Sequence, residues 1–138
     1  MTPEFEKFNR IFPDSQYRKI HEQYVGTDRE LYQAAKAPIS RQICSFDDLR
    51  DWSGRVGWVI PRGFIVVDID NKAAADAVIR IVEGENVNCC VNRGLHGAHF
   101  IFRTSSFNQQ VVAKMCALGI SIDTRAAERG YIILPEND

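Results

Sequence analysis

The sequence is poor in features that would fix a cofactor or a compartment by themselves. Its four cysteines, Cys44, Cys89, Cys90 and Cys116, include no Cys-x-x-Cys pair, which argues against a zinc ribbon. Cys89 and Cys90 are adjacent and would face opposite ways in a strand. All four read as reduced thiols, and the expected location is cytoplasmic. No apolar run approaches membrane-span length, and the N-terminus has no signal-peptide pattern. Net charge is −1 over 138 residues. That balance argues against a protein that grips nucleic acid all over its surface, while leaving room for a local basic groove. No internal repeat or low-complexity segment occurs. The length fits one domain with a real core and is short for two.

What is present centres on Gly63-Phe64-Ile65-Val66-Val67-Asp68-Ile69-Asp70-Asn71. Four consecutive apolar residues, rich in β-branched types and preceded by Pro61-Arg62-Gly63, predict a buried strand. Alternation puts Phe64, Val66, Asp68 and Asp70 on one face and Ile65, Val67 and Ile69 on the other. At ~3.3 Å per residue the two aspartate Cα atoms lie roughly 6.5 Å apart. Both carboxylates then reach one divalent cation or a close pair, which would relieve their mutual repulsion. The simpler alternative is an aspartate that caps the next helix.

The N-terminal 35 residues read as helical. Thr2 caps, Pro3 occupies the first turn, and Phe5, Phe8 and Phe12 share a face that Pro13 ends. Tyr17, Ile20, His21 and Tyr24 predict a second helix ending at Gly26. Thr27-Asp28-Arg29-Glu30 reads as a capping box for a third helix containing Leu31 and Tyr32. His21 at this spacing reads as packing or surface rather than as a ligand. After a break at Lys36-Ala37-Pro38-Ile39-Ser40, a short helix runs from Ser45 through Leu49 and Trp52. Val56–Ile60 reads as a strand forming a hairpin with the acidic strand.

Asn71 caps a further helix with Ala74, Val78 and Ile81 as its buried stripe and Gly84 at its end. Strands follow at 87–92 and 98–103, joined by the glycine-rich turn 93–97. Ser106-Phe107-Asn108-Gln109 reads as a capping box for a helix burying Val111, Met115 and Leu118, closed by Gly119. Residues 120–125 and 131–134 are the last strands. The fold class is α+β: a mixed, largely antiparallel sheet with flanking helices. The whole is one domain, with a helical segment over 1–35 and a core over 36–138.

Three strands bring polar groups that could share a face: Asp68 with Asp70, His99 with Arg103, and Asp123 with Arg125. Charges on a buried sheet face are expensive unless paired or bound to a ligand. Acids hold divalent ions through oxygen, and cationic side chains hold phosphate. The alternative is a set of structural ion pairs, Asp68–Arg103 and Asp123–Arg125.

These residues resemble the primase–polymerase domains of phages, plasmids and other mobile elements, within the archaeo-eukaryotic primase superfamily. Asp68-Ile69-Asp70 matches the family's acidic motif at a strand end. Gly97-Ala98-His99, continued by Phe100-Ile101-Phe102, resembles its small-residue-x-His motif. Ile122-Asp123, with Arg125 and Gly130-Tyr131-Ile132-Ile133-Leu134-Pro135 beyond it, resembles the hydrophobic-Asp motif and the glycine-led strand that follows. Lys36-Ala37-Pro38 resembles a Lys-x-Pro element of the phage branch, as does the run from Phe46 to Ile69. The likeness covers about residues 36–135, and it is the order and intervals of the motifs that carry it.

The resemblance implies an RRM-like core and a DNA primase or polymerase. Asp68, Asp70 and Asp123 would hold Mg²⁺ or Mn²⁺. His99 would contact the triphosphate of an NTP or dNTP, with Arg103, Arg125 and Lys36 as further nucleotide contacts. Single-stranded DNA would be the template, and a helicase or other replication protein a partner. Glycine stands at 97 where the family usually has serine. Gly94-Leu95-His96 has the same form, but His99 enters the apolar strand while His96 sits in the turn. The family often carries a zinc-binding or helical insert, and neither is seen here. Family members usually continue past the last motif, so the resemblance implies a fragment or a minimal version. Two other functions remain compatible with these residues: a non-catalytic primase-like module that binds DNA or a replication partner, and a metal-dependent nuclease.

Overall fold

The computed structural model describes residues 3–21, 28, 30, 38–39, 42–94, 96–104, 111–115, 121–126 and 130–134. The expected third helix at Leu31 and Tyr32, Lys36, Cys116 and the capping box at Ser106 lie outside them. The class is α+β, with every strand pairing antiparallel among the described residues. The chain groups into two compact units, one of residues 1–59 with 131–138 and one spanning Ile60–Gly130.

The first unit is built on aromatic rings. Helix α1, Pro3–Ile11, turns Phe5 and Phe8 inward, and Phe12 follows just past its end; all three are buried. Phe8 and Phe12 sit 5.1 and 5.0 Å, centroid to centroid, from Trp58. Phe5 meets the Tyr17 ring edge-on at 5.3 Å, an arrangement the ring quadrupoles favour. Ser15 Oγ donates to the Phe12 carbonyl, and Asp14 takes a positive φ of 59°, so the chain leaves the helix sharply.

The helix expected over Tyr17, Ile20, His21 and Tyr24 is instead strand β1, Tyr17–Lys19. It pairs with β2, Val56–Val59, which pairs in turn with β8, Tyr131–Ile133. Apolar residues at helical spacing are outweighed here by pairing between distant segments. Tyr17 lies opposite Trp58, and both are fully buried. His21 is exposed just beyond this strand. A 3₁₀ turn at Asp47–Leu49 stands where a short helix is expected from Ser45. Ser45 and Asp48 exchange backbone-to-side-chain bonds across its start, with Ser45 N donating to Asp48 Oδ2 at 2.9 Å.

The second unit is a five-stranded sheet in the order β4-β5-β3-β7-β6 with a helix on one face. Its strands are β3 (Phe64–Ile69), β4 (Cys90–Arg93), β5 (Ala98–Arg103), β6 (Val111–Met115) and β7 (Ser121–Ala126). The expected β2–β3 hairpin does not form, because the two strands belong to different sheets. Helix α2, Lys72–Gly84, starts where the Asn71 side chain accepts from Ala74 N at 2.9 Å. It ends at Gly84, as expected, and Asn86 two residues on takes a φ of 54°. The buried stripe is Ala75, Ile79 and Val82, one residue on from the expected one; Ala74 and Val78 flank it, and Ile81 is exposed. The stripe packs on Ile69, Ala98 and Phe100, with Val67, Val91, Phe102 and Ile122 around it.

The helix expected over 107–118 is also corrected. Val111–Met115 is a strand paired with β7, with a register shift between Val111 and Lys114. Val111 and Val112 are β-branched and favour the pleated surface.

Cys44, Cys89 and Cys90 are free thiols, and burial pushes the Cys44 and Cys89 thiols up. Burial also pushes the Tyr17 hydroxyl, which donates to Asn9 Oδ1 at 2.9 Å, from 10.0 up to about 12. The fold therefore favours the neutral phenol. That contribution is complete below about pH 10 and is lost as pH rises through 12, up to about 2–3 kcal/mol at ~1.4 kcal/mol per pH unit. Tyr17→Phe is expected to lose about 1 kcal/mol at neutral pH and to flatten the alkaline limb. Urea unfolding of both proteins from pH 8 to 12 checks this; parallel alkaline limbs would exclude Tyr17 as the source.

Candidate functional site

Strand β3 is flanked by β5 on one side and β7 on the other. Its odd-numbered residues Val67 and Ile69 pack toward α2 with Phe100 and Ala98. By alternation, Phe64, Val66 and Asp68 face the other way. The registers then build the opposite face row by row. Asp68 lies opposite His99 on β5 and opposite Asp123 on β7, and His99 lies opposite Asn92 on β4. Directly opposed residues have Cα atoms about 4.5–5.5 Å apart. Asn92, His99, Asp68 and Asp123 thus form one polar row across four strands.

Within the row, His99 Nε2 is 3.6 Å from Asp68 Oδ1. Asn92 Nδ2 is 3.4 Å from His99 Nδ1. With the amide nitrogen as donor, the contact fits the imidazole tautomer with Nδ1 bare and Nε2–H toward Asp68. The side chains of His99 and Asp68 keep 24% and 21% of their exposure, so solvent or a ligand reaches both. Asp68 and Asp123 are like charges set directly side by side, an unfavourable cross-strand pair.

The next row is Cys90, Ile101, Val66 and Arg125. Ile101 and Val66 are buried, and Arg125 is half-buried two residues from Asp123. Asp70 follows the end of β3 and is exposed. Among the described residues no group of three or more His, Cys, Asp or Glu side chains is arranged to hold a metal ion. The acids form a row, not a cage. Hard oxygen donors in this number still suit Mg²⁺ or Mn²⁺ arriving with a phosphate-bearing substrate, since Mg²⁺ is commonly bound by one or two carboxylates plus substrate phosphates.

Arg103 is not in this neighbourhood. It lies opposite Phe64, four residues from Asp68 along β3, or about 13 Å at ~3.3 Å per residue. Its guanidinium sits over the Phe64 ring, 5.7 Å from the centroid, while Asp68 is in contact with His99. His96 is exposed in the β4–β5 turn, while His99 is within β5. Lys36 lies outside the described residues. Asn92 is the member of the row that sequence reasoning passes over. Counting back from the Gly94–Gly97 turn, whose Gly94 N donates to Gly97 O at 2.9 Å, would have placed it opposite His99.

No family model, no curated protein and no solved structure matches the chain.

Close backbone approach accounts for glycine at position 97. A Cβ there would overlap the Ile69 carbonyl oxygen and come within 3.1 Å of Asp70 Cα. The backbone at the start of β5 approaches the end of β3 so closely that only glycine fits. Gly97→Ser is expected to cost more than about 2 kcal/mol and to shift the Asp70 amide. Urea midpoints and backbone amide spectra of the variant check this; a midpoint equal to wild type would show that the approach is not obligatory.

Proposed function

We propose that the polar row is the catalytic centre of a nucleotidyltransferase of the primase–polymerase kind, joining a nucleotide to a primer or to an initiating nucleotide on a DNA template. The observation that carries the reading is the register that sets Asp68 between His99 and Asp123. Two carboxylates side by side and a histidine next to them are the residue types that metal-assisted phosphoryl chemistry needs.

In this reading Asp68 and Asp123, with Asp70 at the strand end, hold Mg²⁺ or Mn²⁺, which supplies neutralisation of phosphate charge when bound. His99, beside Asp68, contacts the triphosphate, and Arg125, on the same face, adds positive charge. A hydroxyl oxygen bonds the α-phosphorus of the incoming nucleotide, the bond to the α–β bridging oxygen breaks, and pyrophosphate leaves. The hydroxyl proton passes to a carboxylate or to water. The protein's contribution is positioning and charge. Arg103 lies at the far end of β5, opposite Phe64, and its role as a nucleotide contact, like that of Lys36, remains a proposal from the resemblance alone.

His99 Nε2 faces Asp68 Oδ1 and so engages one oxygen that a cation would otherwise take. That favours one alternative, a module of this fold that binds DNA or a replication partner without catalysis. Asp68→Ala and Asp123→Asn are each expected to lower Mn²⁺-dependent incorporation of labelled nucleotide on a primed template by at least ~100-fold. Wild-type activity in both would remove the acids from the chemistry. Calorimetric titration of nucleotide with and without Mn²⁺ separates the alternative, which requires no metal-dependent binding.

A further inference from the structure

The two edges of the five-stranded sheet differ. At one edge β6 contains Lys114 and a register shift between Val111 and Lys114, two devices that discourage a further strand from adding. At the other edge lies β4, whose one partner strand among the described residues is β5. The run Val87-Asn88-Cys89-Cys90-Val91-Asn92 holds no charge and no proline, and the β4–β5 ladder runs without a shift. Two backbone bonds fix which way the groups of β4 point. Gly94 N donates to Gly97 O at 2.9 Å, and Thr104 N donates to Gly63 O at 2.8 Å. Bonded and non-bonded pairs alternate along an antiparallel ladder. Counted from the first bond, Asn92–His99 and Cys90–Ile101 are the bonded pairs of β4 with β5. Counted from the second, His99 and Ile101 are the β5 residues that turn away from β3 and toward β4. The two counts agree. The main-chain N–H and C=O groups of Val91 and Arg93, and of Cys89 just before the strand, therefore point away from β5, out of the sheet edge.

We propose that β4 is the contact edge of a homodimer, in which a second copy of this chain adds its own β4 antiparallel across a two-fold axis at Val91. The outward positions 89, 91 and 93 are symmetric about Val91. A two-fold axis there pairs Val91 with Val91 of the second copy and Cys89 with its Arg93, and about six main-chain bonds form. The side chains are self-complementary in the same register. Arg93, the charged residue of the strand, meets a cysteine and not another arginine, and its ion partner Asp76 lies in its own copy at 3.5 Å. Val91, on the face that carries α2, meets a second β-branched side chain. A net charge of −1 leaves little repulsion between copies. An unrelated peptide would have to supply this matched pattern, whereas a second copy has it by symmetry. The axis runs through the sheet, so both acidic rows stay on one face of the joined sheet and neither is covered. The dimer does not depend on what the acidic row does.

The test is sedimentation equilibrium of the whole chain in reducing buffer, in a series reaching about 1 mM. A reversible monomer–dimer equilibrium is expected, weak because a single strand pair is a small interface. Val91→Pro removes an N–H that β5 does not use and should weaken dimerisation at least ~10-fold through two lost bonds. Cys90→Lys puts a charge on the edge while leaving the β4–β5 bonds in place, and should also weaken it. Unfolding midpoints identify a variant that fails to fold, and hydrogen exchange on wild type needs no variant. As concentration rises through the dimer range, exchange at the Cys89, Val91 and Arg93 amides should slow about tenfold. The Cys90 and Asn92 amides, already bonded to β5, should not change. A chain monomeric throughout, a dimer that both variants leave intact, slowing confined to other amides, or open-ended polymers would each overturn the proposal. So would full protection of Val91 in the dilute monomer, which would show that the chain covers this edge itself. No metal or nucleotide enters these measurements, so their failure and failure of the transfer assay are read separately.

Discussion

Everything at the candidate site depends on the register in which β3 lies between β5 and β7. Side chains alternate along a strand, so a slip of one residue would turn Asp68, His99 and Asp123 toward α2 and its apolar stripe. Packing on the helix side holds the register. Ile69 and Phe100 are 2% and 0% exposed, and each buried side chain of this kind is worth about 1.5–3 kcal/mol. Setting two carboxylates side by side costs on the order of 1 kcal/mol. The core term is larger and multiplied over several residues, so the fold can hold an acid pair that would not associate by itself. The β3–β5 ladder is also pinned at both ends, by the Gly97 approach to Ile69 and by the Thr104 bond to Gly63.

The parts of the fold that were legible in the sequence are those set by neighbours along the chain. The phenylalanine spacing of α1, the Asn71 cap, the alternation within β3 and the glycine-rich turn before β5 are local signals, and each corresponds to an observed element. The failures share a different cause. Tyr17 and Ile20 fit a helical period, but Tyr17 is buried against a strand contributed some forty residues later, Val56–Val59. Val111 and Met115 likewise satisfy a helical spacing while pairing with β7. Periodicity reports which residues are buried, and over four or five residues the two periods are hard to tell apart. Only the partner decides.

The same distinction applies to the site. Asp68, His99 and Asp123 could be named from their types and intervals, but that they share one row is a property of pairing. Arg103 shows the converse. Its position on the strand that carries His99 suggested a common site, yet four residues of antiparallel strand carry it about 13 Å away from Asp68, opposite Phe64. Asn92 went unnoticed because an asparagine in a strand carries no sequence signal until the residue opposite is known.

Charge is thus sorted along a single strand. At one end of β3 the face opposite α2 carries two opposed carboxylates with a histidine held toward them. At the other end it carries a guanidinium over an aromatic ring, with Arg62 in the adjoining turn. Between them Val66 and Ile101 are buried. Separation has a chemical consequence. Arginines placed within ion-pair distance of Asp68 would neutralise it and compete with a divalent cation for its oxygens. The register of β3 against β5 and β7 thus places Arg103 at the far end and Arg125 one row from the acids.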